Sequence, residues 1–243
     1  MNPDLLAEQL SHPVPNPEWR AKWRAQPRQA VLFDLDGTLL DTAADLGGAA
    51  NAMREARGLA PLAISELRPY ASKGARGLIQ KAFGVAWDAP EFEPLREEFL
   101  ARYEAALADQ TQFMDGLEPI VDALEARSIP WGIVTNKFTR YTTPLVNALG
   151  LAHRLAICVS GDTTAYPKPH PEPMRFACSQ MNLAPASVVY VGDDYRDVLS
   201  GHHAGCHTIA AAFGFCSSDR PVHDWGADAV AENSSELHHL LLS

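Results

Sequence analysis

The chain has 243 residues, 47 % hydrophobic and 21 % charged, which suits one large α/β domain or a core with a smaller second module and excludes a disordered chain. A formal net charge of −10 argues against nucleic acid or an anionic membrane as partner, because both call for a positive field. The four cysteines show no C-x-x-C spacing, so reduced thiols in a cytoplasmic protein are expected rather than a disulfide framework or a zinc site.

No apolar run approaches the roughly 20 residues of a membrane span. Asp4 and Glu8 interrupt the one apolar stretch that could open a signal peptide. Residues 1–28 read as an extension broken by Pro3, Pro13, Pro15, Pro17 and Pro27, with Trp19 and Trp23 spaced to form one apolar stripe of a short helix packed on the body. Ala30 to Phe33 is a short buried strand ending on acidic residues. Residues 43–115 are helix-rich, with Phe92, Leu95, Phe99, Tyr103 and Leu107 at helical spacing and no strong strand, which predicts a small helical module.

From Gly116 the pattern alternates. Helices are expected over 119–127, 142–149, 171–181 and 197–204, and strands over 129–134, 155–159, 187–191 and 208–212. Such alternation predicts a doubly wound, Rossmann-like parallel sheet with helices on both faces, and ligands bind such sheets at the carboxyl ends of the strands. Several of these strands end in polar, reactive residues.

Asp34 and Asp36 flank a strand end with their side chains on one side of the pleat. Two adjacent carboxylates repel, which favours a shared proton or a bound cation. Gly37 permits a sharp bend and Thr38 offers a hydroxyl. Alone, D-x-D at a strand end fits a metal site, a receiver-like acidic pocket or a plain turn. An acidic protein that handles an anionic substrate must also supply local cations, and Lys137 and Arg140 could add positive potential at a pocket rim.

The strings Asp34-Leu35-Asp36-Gly37-Thr38, Val134-Thr135-Asn136, Lys168-Pro169 and Gly192-Asp193-Asp194-Tyr195-Arg196-Asp197 occur in that order. Together they resemble the motifs of the haloacid dehalogenase superfamily, and the resemblance spans about residues 29–230. It implies an α/β core over 29–42 and 116–243 and an inserted all-helical cap over 43–115. It also implies a phosphatase in which Asp34 is the nucleophile forming an aspartyl-phosphate and Asp36 the general acid and base. Thr135 and Lys168 would hold the phosphoryl group, with Thr38 and Asn136 beside it. Asp34, Asp193 and the backbone carbonyl of Asp36 would bind Mg²⁺, while Asp194 and Asp197 would orient the waters and Lys168 around it. In the cap, Lys73, Gly74 and Arg76 resemble the loop that grips the substrate.

The second acid, Asp36, favours phosphate-ester hydrolysis over the dehalogenase and ion-pump branches. Closer resemblance is to bacterial phosphoglycolate phosphatases, through Gly161-Asp162-Thr163, Lys168-Pro169-His170-Pro171 and Trp225-Gly226-Ala227-Asp228. N-acetylmuramic acid 6-phosphate phosphatases look alike, and residues 92–103 resemble that second group. The two substrates rank about equal, with 2-phosphoglycolate placed first because the core motifs fit it broadly. A β-phosphoglucomutase-like phosphomutase shares the motifs. The expected partner is a small phosphorylated metabolite, acted on by a monomer or homodimer. His202, His203, His238 and His239 are expected at the surface, His170 in a turn and Cys206 in the core.

Overall fold

A computed structural model describes residues 10–27, 29–216 and 220–243; residues 1–9 of the predicted extension lie outside that range. Six parallel strands form one sheet: β1 (Ala30–Phe33), β4 (Trp131–Val134), β5 (Ile157–Val159), β6 (Val188–Gly192), β7 (His207–Ala211) and β8 (Ala229–Ala231), in the order β5-β4-β1-β6-β7-β8. The chain runs outward from β1 through β4 to β5, then returns to β6 on the other side of β1. The direction of winding therefore reverses at β1, and the carboxyl ends of β4, β1 and β6 lie side by side there. β1, β4, β6 and β7 are buried along their whole length, as expected of central strands covered on both faces.

Alternate residues of β1 serve opposite layers. Val31 and Phe33 join one apolar cluster and Ala30 and Leu32 the other. On the first side lie α6 (Leu117–Ala126), α7 (Thr139–Ala148) and α10 (Ser234–Leu242), burying Ile120, Leu124, Leu145 and Leu241. On the second side α8 (Glu172–Gln180) buries Met174, Ala177 and Cys178, and α9 (Tyr195–Ala204) packs beside it on β6 and β7.

Four helices fill the segment between the first and second motifs: α2 (Ala43–Glu55), α3 (Ile64–Ala71), α4 (Gly74–Phe83) and α5 (Phe92–Ala105). Leu46, Met53, Leu67, Leu78, Ile79, Phe99 and Tyr103 make their shared interior, which is continuous with the cluster on the sheet. The segment carries no strong strand, as expected, and a two-residue pair marks its ends. β2 (Leu40–Asp41) and β3 (Gln112–Phe113) pair antiparallel at its entry and exit. Two residues carry too little alternation to be read as a strand, and only their pairing across some 70 intervening residues defines them.

α1 (Trp19–Arg24) places both tryptophans in the main core, 4 % and 1 % exposed, and the Trp23 indole N–H donates to the Ser187 carbonyl at 3.1 Å. The expected short helix lying on the body is what forms.

Candidate active site

Gly37 shapes the floor of the site. Its φ of +87° turns the chain just after β1, its N–H donates to the Leu40 carbonyl at 2.8 Å, and a Cβ there would sit 2.5 Å from Asp193 Oδ2. A glycine is thus required both for the bend and for the close approach of β6's end. Gly214 answers it from the far side, where a Cβ would fall 2.2 Å from the Cβ of Asp193.

Three carboxylates converge over this floor. Asp34, Asp193 and Asp197 each bring an oxygen within 4.8 Å of the others. Asp34 stays partly open, its side chain 14 % exposed, with Lys168 Nζ at 2.8 Å and the Leu35 N–H at 2.7 Å. Asp193 is fully buried and accepts from the Thr38 hydroxyl at 2.8 Å and the Phe215 N–H at 2.8 Å. Burial, then the charges of Asp34 and Asp197, push its pKa up to about 8. Asp197 is pushed up to about 7, by burial first, with Lys168 opposing the rise and Asp34 adding to it.

Lys168 is the buried counter-charge. Its Nζ contacts Asp197 at 2.7 Å, Asp34 at 2.8 Å and the Tyr190 hydroxyl at 2.8 Å. Burial works against its charge, yet the two carboxylates outweigh it and its pKa is raised. Tyr190 passes its own proton to the Val134 carbonyl at 2.7 Å, which joins β6 to β4 directly beneath the site.

The carboxylate of Asp36 turns away from this group. Its Oδ1 accepts from the Thr42 hydroxyl at 2.7 Å and from Lys137 Nζ at 2.8 Å, and Lys137 also reaches Oδ2 at 3.2 Å. Lys137 is therefore at the site rather than on its rim. Arg140 is not: it is exposed and pairs with Glu104.

Several predicted residues take different duties from those expected. Thr38 gives its hydroxyl to Asp193 at 2.8 Å, the turn at Gly37 bringing it towards β6. Asn136 spends its amide on the peptide of Lys168, donating to its carbonyl and accepting its N–H, both at 2.9 Å. It fixes the lysine's backbone. Asp194 caps α9 and is paired with Arg196 at 2.8 Å. Asp197 joins the acidic cluster itself, beyond the expected role of orienting Lys168. Thr135 follows directly on β4, is 3 % exposed, and its Oγ1 accepts the Lys137 N–H at 3.1 Å. In the helical segment, Lys73 is exposed before α4, Gly74 opens that helix at φ +56°, and the Arg76 guanidinium lies 4.4 Å over the Trp87 ring. The residue of that loop which touches the core is Ser72, its hydroxyl 3.3 Å from Asp193 Oδ2 and its carbonyl 3.1 Å from Arg196 Nη2.

Sequence reasoning missed Thr42 and Tyr190. Only Tyr190 left a trace, as a polar tip inside the apolar run of β6.

The cluster suits a hard divalent cation. It is all oxygen, two of its three carboxyls are buried, and burial with their mutual repulsion raises the pKa of both, the signature of negative charge still short of positive compensation.

Residues 31–211 match the model of the haloacid dehalogenase-like hydrolase family. The N-acetylmuramic acid 6-phosphate phosphatase of Pseudomonas aeruginosa is 44 % identical over 214 residues, 88 % of this chain and 94 % of that protein. A phosphoglycolate phosphatase of Xanthomonas campestris pv. campestris is 43 % identical over 209 residues, 86 % of this chain and 94 % of that one. Among solved structures, a predicted phosphoglycolate phosphatase from Haemophilus somnus superposes with a TM-score of 0.76 at 24 % identity, covering 89 % of this chain and 99 % of its own. That last likeness speaks for the fold.

Proposed function

We propose, from the premise that this chain belongs to the haloacid dehalogenase-like hydrolase family and is a phosphoric monoester hydrolase, that it cleaves N-acetylmuramic acid 6-phosphate with magnesium as cofactor. The observation that carries the reaction is the pairing of Asp34 with buried Lys168 at 2.8 Å, beside the acidic cluster. It presents a nucleophilic carboxylate next to a fixed cation where a phosphoryl group needs one. The observation that ranks the substrate is the 44 % identity to a phosphatase of that name, along a match long enough to take in the helical segment. The 43 % relative favours 2-phosphoglycolate as the second reading.

Asp34 attacks phosphorus and the ester P–O bond breaks, while Asp36 gives its proton to the departing alkoxide. Asp36 then takes a proton from the water that attacks the aspartyl-phosphate, freeing inorganic phosphate and restoring both carboxyls. Lys168 balances the charge on Asp34 and on the transferred group as a point cation, and Thr135 donates to a phosphoryl oxygen. Asp34, Asp193 and the Asp36 carbonyl would hold Mg²⁺, with Asp197 in reach; when bound it neutralises phosphoryl charge and orients the group for in-line attack. The helices over 43–105 cover the site as a cap and exclude water. Four free cysteines, two of them buried, support a cytoplasmic setting.

The test is phosphate release from a panel holding N-acetylmuramic acid 6-phosphate, 2-phosphoglycolate and glucose 1-phosphate, with Mg²⁺ or with EDTA. We expect kcat/KM to be highest for the first, to collapse in EDTA and to vanish in Asp34→Asn at an unchanged Tm. A higher kcat/KM for 2-phosphoglycolate selects the second reading. Turnover only with a sugar bisphosphate activator would reject hydrolysis in favour of a phosphomutase.

A further inference from the structure

We propose that Lys137 and Tyr103 form a positioning pair for Asp36, through which the helical segment sets the proton donor for a poor leaving group. This deepens the reading of Asp36 as general acid and rests on it.

Lys137 leaves a backbone pinned on three sides. Its N–H donates to Thr135 Oγ1 at 3.1 Å, and its carbonyl accepts from the Gly161 N–H at 2.9 Å and the Thr142 hydroxyl at 3.1 Å. From there the side chain runs inward, 7 % exposed, and puts Nζ on both oxygens of Asp36 at 2.8 and 3.2 Å. The opposite side of the ammonium faces the Tyr103 ring, whose centroid is 4.7 Å away. Tyr103 belongs to α5, is 2 % exposed, stacks on Phe99 at 6.4 Å and meets the tilted Tyr141 ring at 5.9 Å. A ring wedged between α5 and α7 thus closes the lysine off from water.

An ammonium buried this deeply is costly unless it is paired. Its partners here are the carboxylate of Asp36 and the face of one aromatic ring, and both act on the same place. Asp36 is held from two directions, by the Thr42 hydroxyl at the start of the helical segment and by Lys137 from the core. Fixed in this way, one carboxyl edge is committed to its supports. When Asp36 hands over its proton, the charge that develops lies 2.8 Å from a cation in a dry setting, where the attraction is strong. Losing Tyr103 would admit water and weaken that attraction without touching Asp36.

General acid assistance matters for alkyl phosphates, whose alkoxide leaves badly, and little for p-nitrophenyl phosphate, whose phenolate leaves unaided. The experiment compares kcat for N-acetylmuramic acid 6-phosphate and 2-phosphoglycolate with kcat for p-nitrophenyl phosphate in Lys137→Met, Tyr103→Leu and Asp36→Asn, each checked for folding by its Tm. Lys137→Met is expected to lose roughly 100-fold in kcat on whichever alkyl phosphate the wild type turns over, and at least tenfold less on p-nitrophenyl phosphate. Tyr103→Leu should show the same selectivity in smaller measure. Equal losses on both kinds of substrate, or no loss, would overturn the proposal. Should Asp36→Asn also lack the selectivity, the reading of Asp36 itself falls; should Asp36→Asn show it and Lys137→Met not, only this inference falls.

Discussion

Asp193 has no exposed surface, and among the described residues its hydrogen bonds come from the Thr38 and Ser72 hydroxyls and the Phe215 and Cys216 amides, none of them a cation. With Asp197 it keeps its proton to about pH 8 and 7 respectively, against about 4 in an unfolded chain. The sign follows directly. Between those values the folded protein binds more protons than the unfolded one, so metal-free stability falls as pH rises towards 8. Mg²⁺ competes with those protons for the same oxygens. Thermal melts at pH 6 and pH 8, each with excess Mg²⁺ or EDTA, should show a larger Mg²⁺-induced rise in Tm at pH 8. An equal rise at both would mean the cluster is not where the cation acts. At this scale Asp34, Asp36, Thr135 and Asp193 are legible as polar residues at or just past the ends of apolar runs, while the roles expected of them and of Lys168 come from the resemblance of their motifs. Their partners are not legible. Nothing in the local sequence sends Thr38 to Asp193 or Asn136 to the Lys168 peptide, since those contacts span 155 and 32 residues.

Elements were read better in kind than in extent. α7 begins at Thr139, three residues ahead of its apolar stripe, because Asp162 Oδ1 accepts both the Thr139 N–H at 2.8 Å and its hydroxyl at 2.7 Å. A cap supplied by another loop cannot be seen in the helix's own sequence. The helical segment is tied to its exit in the same manner. Asp45 on α2, 3 % exposed, accepts from the Gln110 N–H at 3.0 Å, the Thr111 N–H at 2.9 Å and the Thr111 hydroxyl at 2.6 Å. Asp45→Ala would strand the buried Thr111 amide and hydroxyl, so a loss of about 2–3 kcal/mol in unfolding free energy is expected by urea titration. A loss below about 0.5 kcal/mol would place that tie in water.

Across the whole molecule, the stretch over residues 16–24 is tied into the core. Asn16 N–H donates to Asp228 at 2.6 Å, Arg20 reaches the Ser243 carbonyl at 2.8 Å, and Trp23 fills space against Ser187. Trp23→Ala is expected to cost about 3–5 kcal/mol, read as a fall in Tm, while kcat on p-nitrophenyl phosphate stays within about twofold because the change lies far from Asp34 in the fold. A preserved Tm would show that the segment merely rests on the surface.

The sequence by itself determined the class of this protein. Unbroken apolar strands, their alternation with helices and the acidic residues closing them dictate a parallel sheet with its chemistry at one edge, because a strand buried on both faces leaves polar groups only at its ends. It also determined the kinds of groups available at those strand ends: carboxylates, hydroxyls and a lysine. The tertiary structure decided how these are shared. Burial made Lys168 and Lys137 answer to different carboxylates, and the turn at Gly37 brought β1's acids onto β6's. The helical segment closed on the core through Ser72, Thr42 and Tyr103, whose partners no motif specifies. Such pairings come from distances set by the whole chain, and no local run of residues encodes them.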